Sequence, residues 1–129
     1  MKVTIEITEY SADFRKNLAK ETKKPEILSK LSEDENLEVR KAVAYNANTT
    51  PEILTKLAED KKVCVRSSVA RNANTPLKIL AKLSEDENLE VRASLAYNEN
   101  APSEILAKLA EDENWEVRQA VFYNASKKE

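Results

Sequence analysis

The sequence predicts an all-α fold: a stacked array of about four 26-residue units, each built from two short helices. Two observations carry this. Ile27-Leu28, Ile53-Leu54, Ile79-Leu80 and Ile105-Leu106 recur at a step of 26 residues, and so do Arg40, Arg66, Arg92 and Arg118, and Asn46, Asn72, Asn98 and Asn124. Each unit also holds two short apolar stripes at helical spacing, joined by a charged connector. A fixed period of this size marks a chain whose units bury their apolar faces against one another.

The elements follow in order. Residues 1–10 read as an N-terminal strand or extended arm, because Val3, Ile5 and Ile7 alternate with Lys2, Thr4, Glu6 and Thr8. A lone strand cannot stand by itself. It lies on the first helix as an arm, pairs with a strand elsewhere, or pairs with its copy in a second chain. The repeat domain spans 11–126 and opens on a half-repeat at 11–22, where Ser11 is placed to cap a helix and Phe14-Arg15 mirrors Val39-Arg40. Residues 127–129 form a tail in a frayed SKKE end.

In each full unit the first helix is expected at Pro25–Glu33, Pro51–Glu59, Pro76–Glu85 and Pro102–Glu111. Proline suits the first helical turn, where its missing N–H costs nothing, and Thr50 and Thr75 stand before it as caps. The connector is EDEN in three units and EDKK at 59–62, with Asp34 and Asn36 both suited to cap the next helix. The second helix is expected at Leu37–Asn46, Val63–Asn72, Leu89–Asn98 and Trp115–Asn124. Small residues there (Ala42, Ala44, Ser68, Ala70) allow close stacking of neighbours.

Composition excludes several functions. The chain has no glycine and no histidine. Phosphate loops, dinucleotide fingerprints and nucleophile elbows need glycine's backbone freedom. Histidine is the commonest general base and metal ligand. No enzyme activity, cofactor or metal is therefore expected. The acidic connectors lack the glycine-turned loop of a calcium site. A single cysteine, Cys64, permits no intramolecular disulfide and fits a reducing compartment. No apolar run approaches a membrane span and no leader pattern opens the chain, so a cytoplasmic protein without membrane contact is expected. A net charge of −2 argues against nucleic acid as partner, since phosphate binding calls for a basic surface.

The run VRKAVAYNANTTPEILTKLAED at 39–60 resembles the leucine-rich repeat variant, and the aspartate six residues before each arginine is similar to the wider HEAT/armadillo group. The resemblance covers roughly 14–126 and implies a right-handed α-α superhelix without a continuous sheet, and it leaves open whether the second helix of each pair is α or partly 3-10. The founding variant protein carries an iron–sulfur centre on a separate cysteine cluster; Cys64 alone cannot hold one, so that cofactor is not carried over.

The repeated side chains sort into structural and functional sets. Asp34/Arg40, Asp60/Arg66, Asp86/Arg92 and Asp112/Arg118 read as a structural ladder, each arginine beside its own and neighbouring aspartates and tying connectors together, and Asn46, Asn72, Asn98 and Asn124 as buried amides tying down the turns. Tyr45, Arg71, Tyr97 and Tyr123 form an outward stripe on the second helices and are the candidates for contact with an unidentified protein or peptide partner. The plainer reading of the stripe is half-buried packing between units. Cys64 stands where other units have glutamate and reads as a neutral exchange. Trp115 and Phe122 replace smaller residues and read as a C-terminal seal, or as a patch for self-association. A homodimer would form through Val3–Ile7 or through the Phe122 end.

Overall fold

The computed structural model describes residues 6–127. These residues fold into a 3-10 turn at Ile7–Glu9 and nine α-helices, with no strand among them. The first is α1 (Ala12–Glu21), which starts where the Ser11 hydroxyl accepts from the Phe14 amide at 3.1 Å. Then come α2 (Pro25–Leu31), α3 (Leu37–Tyr45), α4 (Pro51–Leu57), α5 (Val63–Arg71), α6 (Leu77–Leu83), α7 (Leu89–Ala96), α8 (Ser103–Leu109) and α9 (Trp115–Lys127).

The strand expected over 2–8 is corrected in part. Residues 1–5 lie outside the described residues, and the run's end is taken into the turn at Ile7–Glu9. Alternation makes a strand only where another strand offers its edge. Here Ile7 packs instead on the apolar core, and the Glu6 carboxylate accepts from Lys30 at 3.4 Å.

Local chemistry sets the helix ends. Asn36, Asn88 and Asn114 accept through Oδ1 from the amides of Glu38, Glu90 and Glu116 at 2.8, 2.8 and 2.9 Å, so each starts a second helix. Asp34 works one step earlier, accepting from the Asn36 amide at 2.9 Å. The prolines are out of register with one another. Counted by 26, Pro76 and Pro102 occupy the place of Thr50, and they precede α6 and α8 rather than opening them. Thr75 likewise matches Thr49, not Thr50. It caps no helix; its hydroxyl is buried and donates to the Val69 carbonyl at 2.6 Å, as Thr49 does to Val43 at 2.6 Å.

The helices form two layers. α1, α3, α5, α7 and α9 each pack on the next, while α2, α4, α6 and α8 lie against the second helices before and after them. Leu28, Leu54, Leu80, Val39, Val65 and Val91 are fully buried between the layers. Burying a side chain of this kind contributes about 1.5–3 kcal/mol, and helices of seven to nine residues are held by that contact rather than by their own propensity. Ala44, Ala70 and Ala96 are fully buried as well. Their small size allows the second helices to close on one another.

The last helix runs on past Asn124 to Lys127, where the other second helices stop at or before their asparagine. In those units the asparagine backbone turns extended (ψ 125° at Asn46 and Asn72) and its Oδ1 accepts from the amide two residues on. The last unit has Ser126 where Asn48 and Asn74 stand, and its hydroxyl donates back to the Phe122 carbonyl, so the helix continues.

Candidate functional site

Two ladders fix the geometry on which any binding face depends. The arginine ladder runs across the joints between units. Arg40, Arg66 and Arg92 donate through Nε to the carboxylates of Asp60, Asp86 and Asp112 at 2.7, 2.9 and 2.8 Å. A second nitrogen of each donates to the backbone carbonyl of its own unit's aspartate, Asp34, Asp60 and Asp86, at 2.8, 2.8 and 2.7 Å. The aspartate six residues upstream therefore contributes its carbonyl, while the carboxylate comes from the following unit. Arg15 makes the first rung, donating to Asp34 at 2.7 Å. Sequence reasoning left it out of the ladder, although its place after Phe14 matches that of Arg40 after Val39. Arg118 reaches only the Asp112 carbonyl, at 2.7 Å, among the described residues.

These pairs are nearly buried: Asp86 and Arg66 keep 10% and 11% of their side-chain surface. The hydrogen bond to Asp86 raises the Arg66 pKa above its ordinary value, against the opposing effect of burial. Burial pushes the Asp60 carboxyl up, but the Arg40 bond, the Lys62 amide and the Arg66 charge outweigh it and hold the pKa below its ordinary value.

The asparagine ladder is the buried counterpart. Asn72 Nδ2 donates to the carbonyls of Ala44 and Asn46 at 2.8 and 3.0 Å, and Asn98 repeats this on Ala70 and Asn72 at 2.8 and 3.0 Å. Asn46 holds Ala19 and Thr22 in the same way, and Asn124 holds Ala96. Each amide satisfies carbonyls left open at the end of the preceding second helix. An outer ladder, absent from the sequence reading, pairs Glu33 with Lys56, Glu59 with Lys82 and Glu85 with Lys108. Those side chains are at least half exposed, so each pair contributes little to stability.

The tyrosine stripe stands on the second-helix layer. Tyr45 is 72% exposed at the end of α3, Arg71 ends α5, and Tyr97 follows α7. The Arg71 guanidinium lies over the Tyr97 ring, 4.8 Å from its centroid. Tyr45, Arg71 and Tyr97 line a shared open groove of about 410 Å³, which continues into one of about 450 Å³ reaching Lys41, Cys64 and Glu116. Tyr123 is exposed on α9 and lines neither groove. Three of the four stripe residues, Tyr45, Arg71 and Tyr97, thus share a groove. Trp115 and Phe122 are 59% and 69% exposed, so both rings stand at the surface of the C-terminal end without being covered.

Among the described residues no group of three or more acidic or thiol side chains is arranged to hold a metal ion, and no helix is long and apolar enough to cross a membrane.

Paired helices stacked at a fixed period, with the same joint made four times, define a helical repeat protein. The family model described as leucine rich repeat variant matches residues 89–114, one full period of the array, and that family is what the repeat is similar to. No curated protein and no solved structure matches the chain.

Proposed function

We propose that the chain is a non-enzymatic scaffold that binds a protein or peptide along its second-helix face. The observation that carries this reading is the groove in which Tyr45, Arg71 and Tyr97 meet. Tyrosine and arginine are enriched among the residues that dominate binding energy at protein interfaces, and here two rings and a guanidinium stand at the ends of second helices. Stacking of Arg71 on Tyr97 favours one arrangement of the two side chains before a partner arrives, which would lower the ordering cost of binding. The close packing of second helices on one another supports a curve toward that layer, which would make it the inner face of a HEAT-like array. The lone, half-buried Cys64 fits a reducing compartment such as the cytoplasm.

Photo-crosslinking tests this reading. A benzophenone side chain placed at Tyr45 or Tyr97 should capture one protein from a lysate, and the same group at Lys82 on the first-helix layer should not. Equal capture from both layers would remove the groove as the site.

Nucleic acid is the weaker reading. Lys16, Lys20 and Lys41 surround one depression of about 440 Å³ beside Tyr45, but Glu38 lines it too, and Glu90, Glu99 and Glu116 line the neighbouring grooves. Binding of single- or double-stranded DNA that weakens steeply with salt would favour it, and no binding at low salt would end it.

A further inference from the structure

The charges that line the second-helix grooves are sorted by sign along the array. The depression beside α1 shares Lys41 and Tyr45 with the wider groove, so together they run from α1 to α9. Their cations are Lys16 and Lys20 on α1, Lys41 on α3 and Arg71 on α5, with Glu38 as the one carboxylate among them. The remaining carboxylates are Glu90 on α7, Glu99 just after it and Glu116 on α9, and no cation of α7 or α9 lines these grooves. Substitutions within the repeat create the sorting. At the register of Lys41 the later units carry Ser67, Ala93 and Gln119, and Cys64 interrupts the register of Glu38, Glu90 and Glu116.

The joints handle charge differently. There arginine meets aspartate and lysine meets glutamate at rung after rung. None of the groove charges belongs to an ion pair among the described residues, and the Arg71 guanidinium rests on the Tyr97 ring instead. Unmatched charge along a concave wall sets up a potential that a ligand of opposite sign relieves.

We propose that the groove takes an extended peptide whose charges are sorted to match. Acidic residues lie over α1, α3 and α5, an apolar or aromatic centre lies between Tyr45 and Tyr97, and basic residues lie over α7 and α9. This rests on the scaffold reading above and adds the chemistry of the partner. Neighbouring packed helices stand about 8–10 Å apart, so the four steps from α1 to α9 span about 32–40 Å, the reach of an extended chain of about 10–12 residues. A ligand of one sign throughout meets like charge over half of the groove.

Fluorescence anisotropy tests this with labelled peptides of about twelve residues and a single composition. One has a glutamate block, a leucine-tyrosine centre and a lysine block, made in both chain directions. The other carries the same residues with the charges alternating. At low salt the better sorted peptide binds at least about tenfold tighter than the alternating one. The difference closes in about 1 M salt, where the Debye length is about 3 Å. The exchange Lys20→Glu/Lys41→Glu/Glu90→Lys/Glu116→Lys keeps the net charge and leaves Tyr45, Arg71 and Tyr97 in place. All four positions are exposed, so circular dichroism is unchanged and only the preference is lost. Equal binding of the two peptides, no binding of either, or a preference that survives the exchange overturns the proposal. So does a doubled mass of the wild-type chain alone that the exchange abolishes, because the sorted face would then pair with a second copy. Crosslinking from Tyr45 or Tyr97 that persists undiminished in the exchanged variant keeps the groove as the site and removes the sorted peptide. Equal crosslinking from both layers removes the groove itself.

Discussion

Arg66 and Asp86 meet at 2.9 Å across a joint between units, twenty residues apart in the chain. The same guanidinium also donates to the Asp60 carbonyl at 2.8 Å. One side chain thus ties the connector of its own unit to that of the next. Arg118 has no aspartate ahead of it among the described residues and keeps only the connector bond. Arg66→Ala is expected to lower unfolding free energy by about 2 kcal/mol, since it leaves a nearly buried carboxylate without its partner. Arg118→Ala is expected to change it by less than about 0.5 kcal/mol. Urea denaturation of the two variants makes the comparison, and equal losses would show that the cross-joint bond contributes nothing.

Asn72 should be the costlier position. Its side chain makes three hydrogen bonds, to the Ala44 and Asn46 carbonyls and from the Asn74 amide, and it is buried. Asn72→Ala leaves all three backbone groups open and should cost about 3 kcal/mol. Asn72→Asp should be no better at neutral pH, because a carboxylate would face two carbonyls. A variant with native stability in either case would mean that water replaces the amide.

Stability should be flat from neutral pH down to mildly acidic pH and then fall. No histidine titrates in that range. Asp60 and Asp112 have folded-state pKa values below their ordinary 3.8, and Glu33, Glu59 and Glu85 lie below their ordinary 4.5. A depressed pKa contributes stability above the unfolded value, and that contribution is lost as pH falls through the folded value. The loss should therefore lie below about pH 4.5, with Asp60→Asn flattening part of it. Circular dichroism against pH checks this, and a transition near neutrality would contradict it.

The C-terminal unit should open first. Leu106, Val121 and Phe122 lack the cover that their interior counterparts receive, and helical repeats gain stability from each neighbour. Amides of α9 should exchange hydrogen faster than those of α5, at protein concentrations where the chain is monomeric. Uniform exchange along the array would show that it opens as one unit.

The fold was legible because each unit repeats the same demands. Ile53-Leu54 and Val65-Val69 specify two apolar stripes, and the step of 26 specifies that they stack. Spacing placed each arginine beside its own and neighbouring aspartates but could not convey which of them supplies the carboxylate. The aspartate six residues before Arg66 supplies a carbonyl, while the carboxylate comes from Asp86, twenty residues later. Local likeness also misled at Thr75, where the Thr-Pro pair resembled Thr50-Pro51 but the period placed it with Thr49. The alternation at 2–8 carried no information on whether a second strand was present, and Ile7 went to a turn. For the stripe, the step of 26 aligned Tyr45, Arg71, Tyr97 and Tyr123, but spacing could not convey that Tyr45, Arg71 and Tyr97 line one groove.

The central claim is that the second-helix face recognises a protein. Its most direct measurement is capture from a lysate of the parent organism by the wild-type chain and by the Tyr45→Ala/Tyr97→Ala/Tyr123→Ala variant, with circular dichroism of both. The account predicts a captured protein that is lost, or held at least about tenfold more weakly, by a variant whose helical signal is unchanged. Undiminished capture by that variant would contradict it and assign the rings to packing.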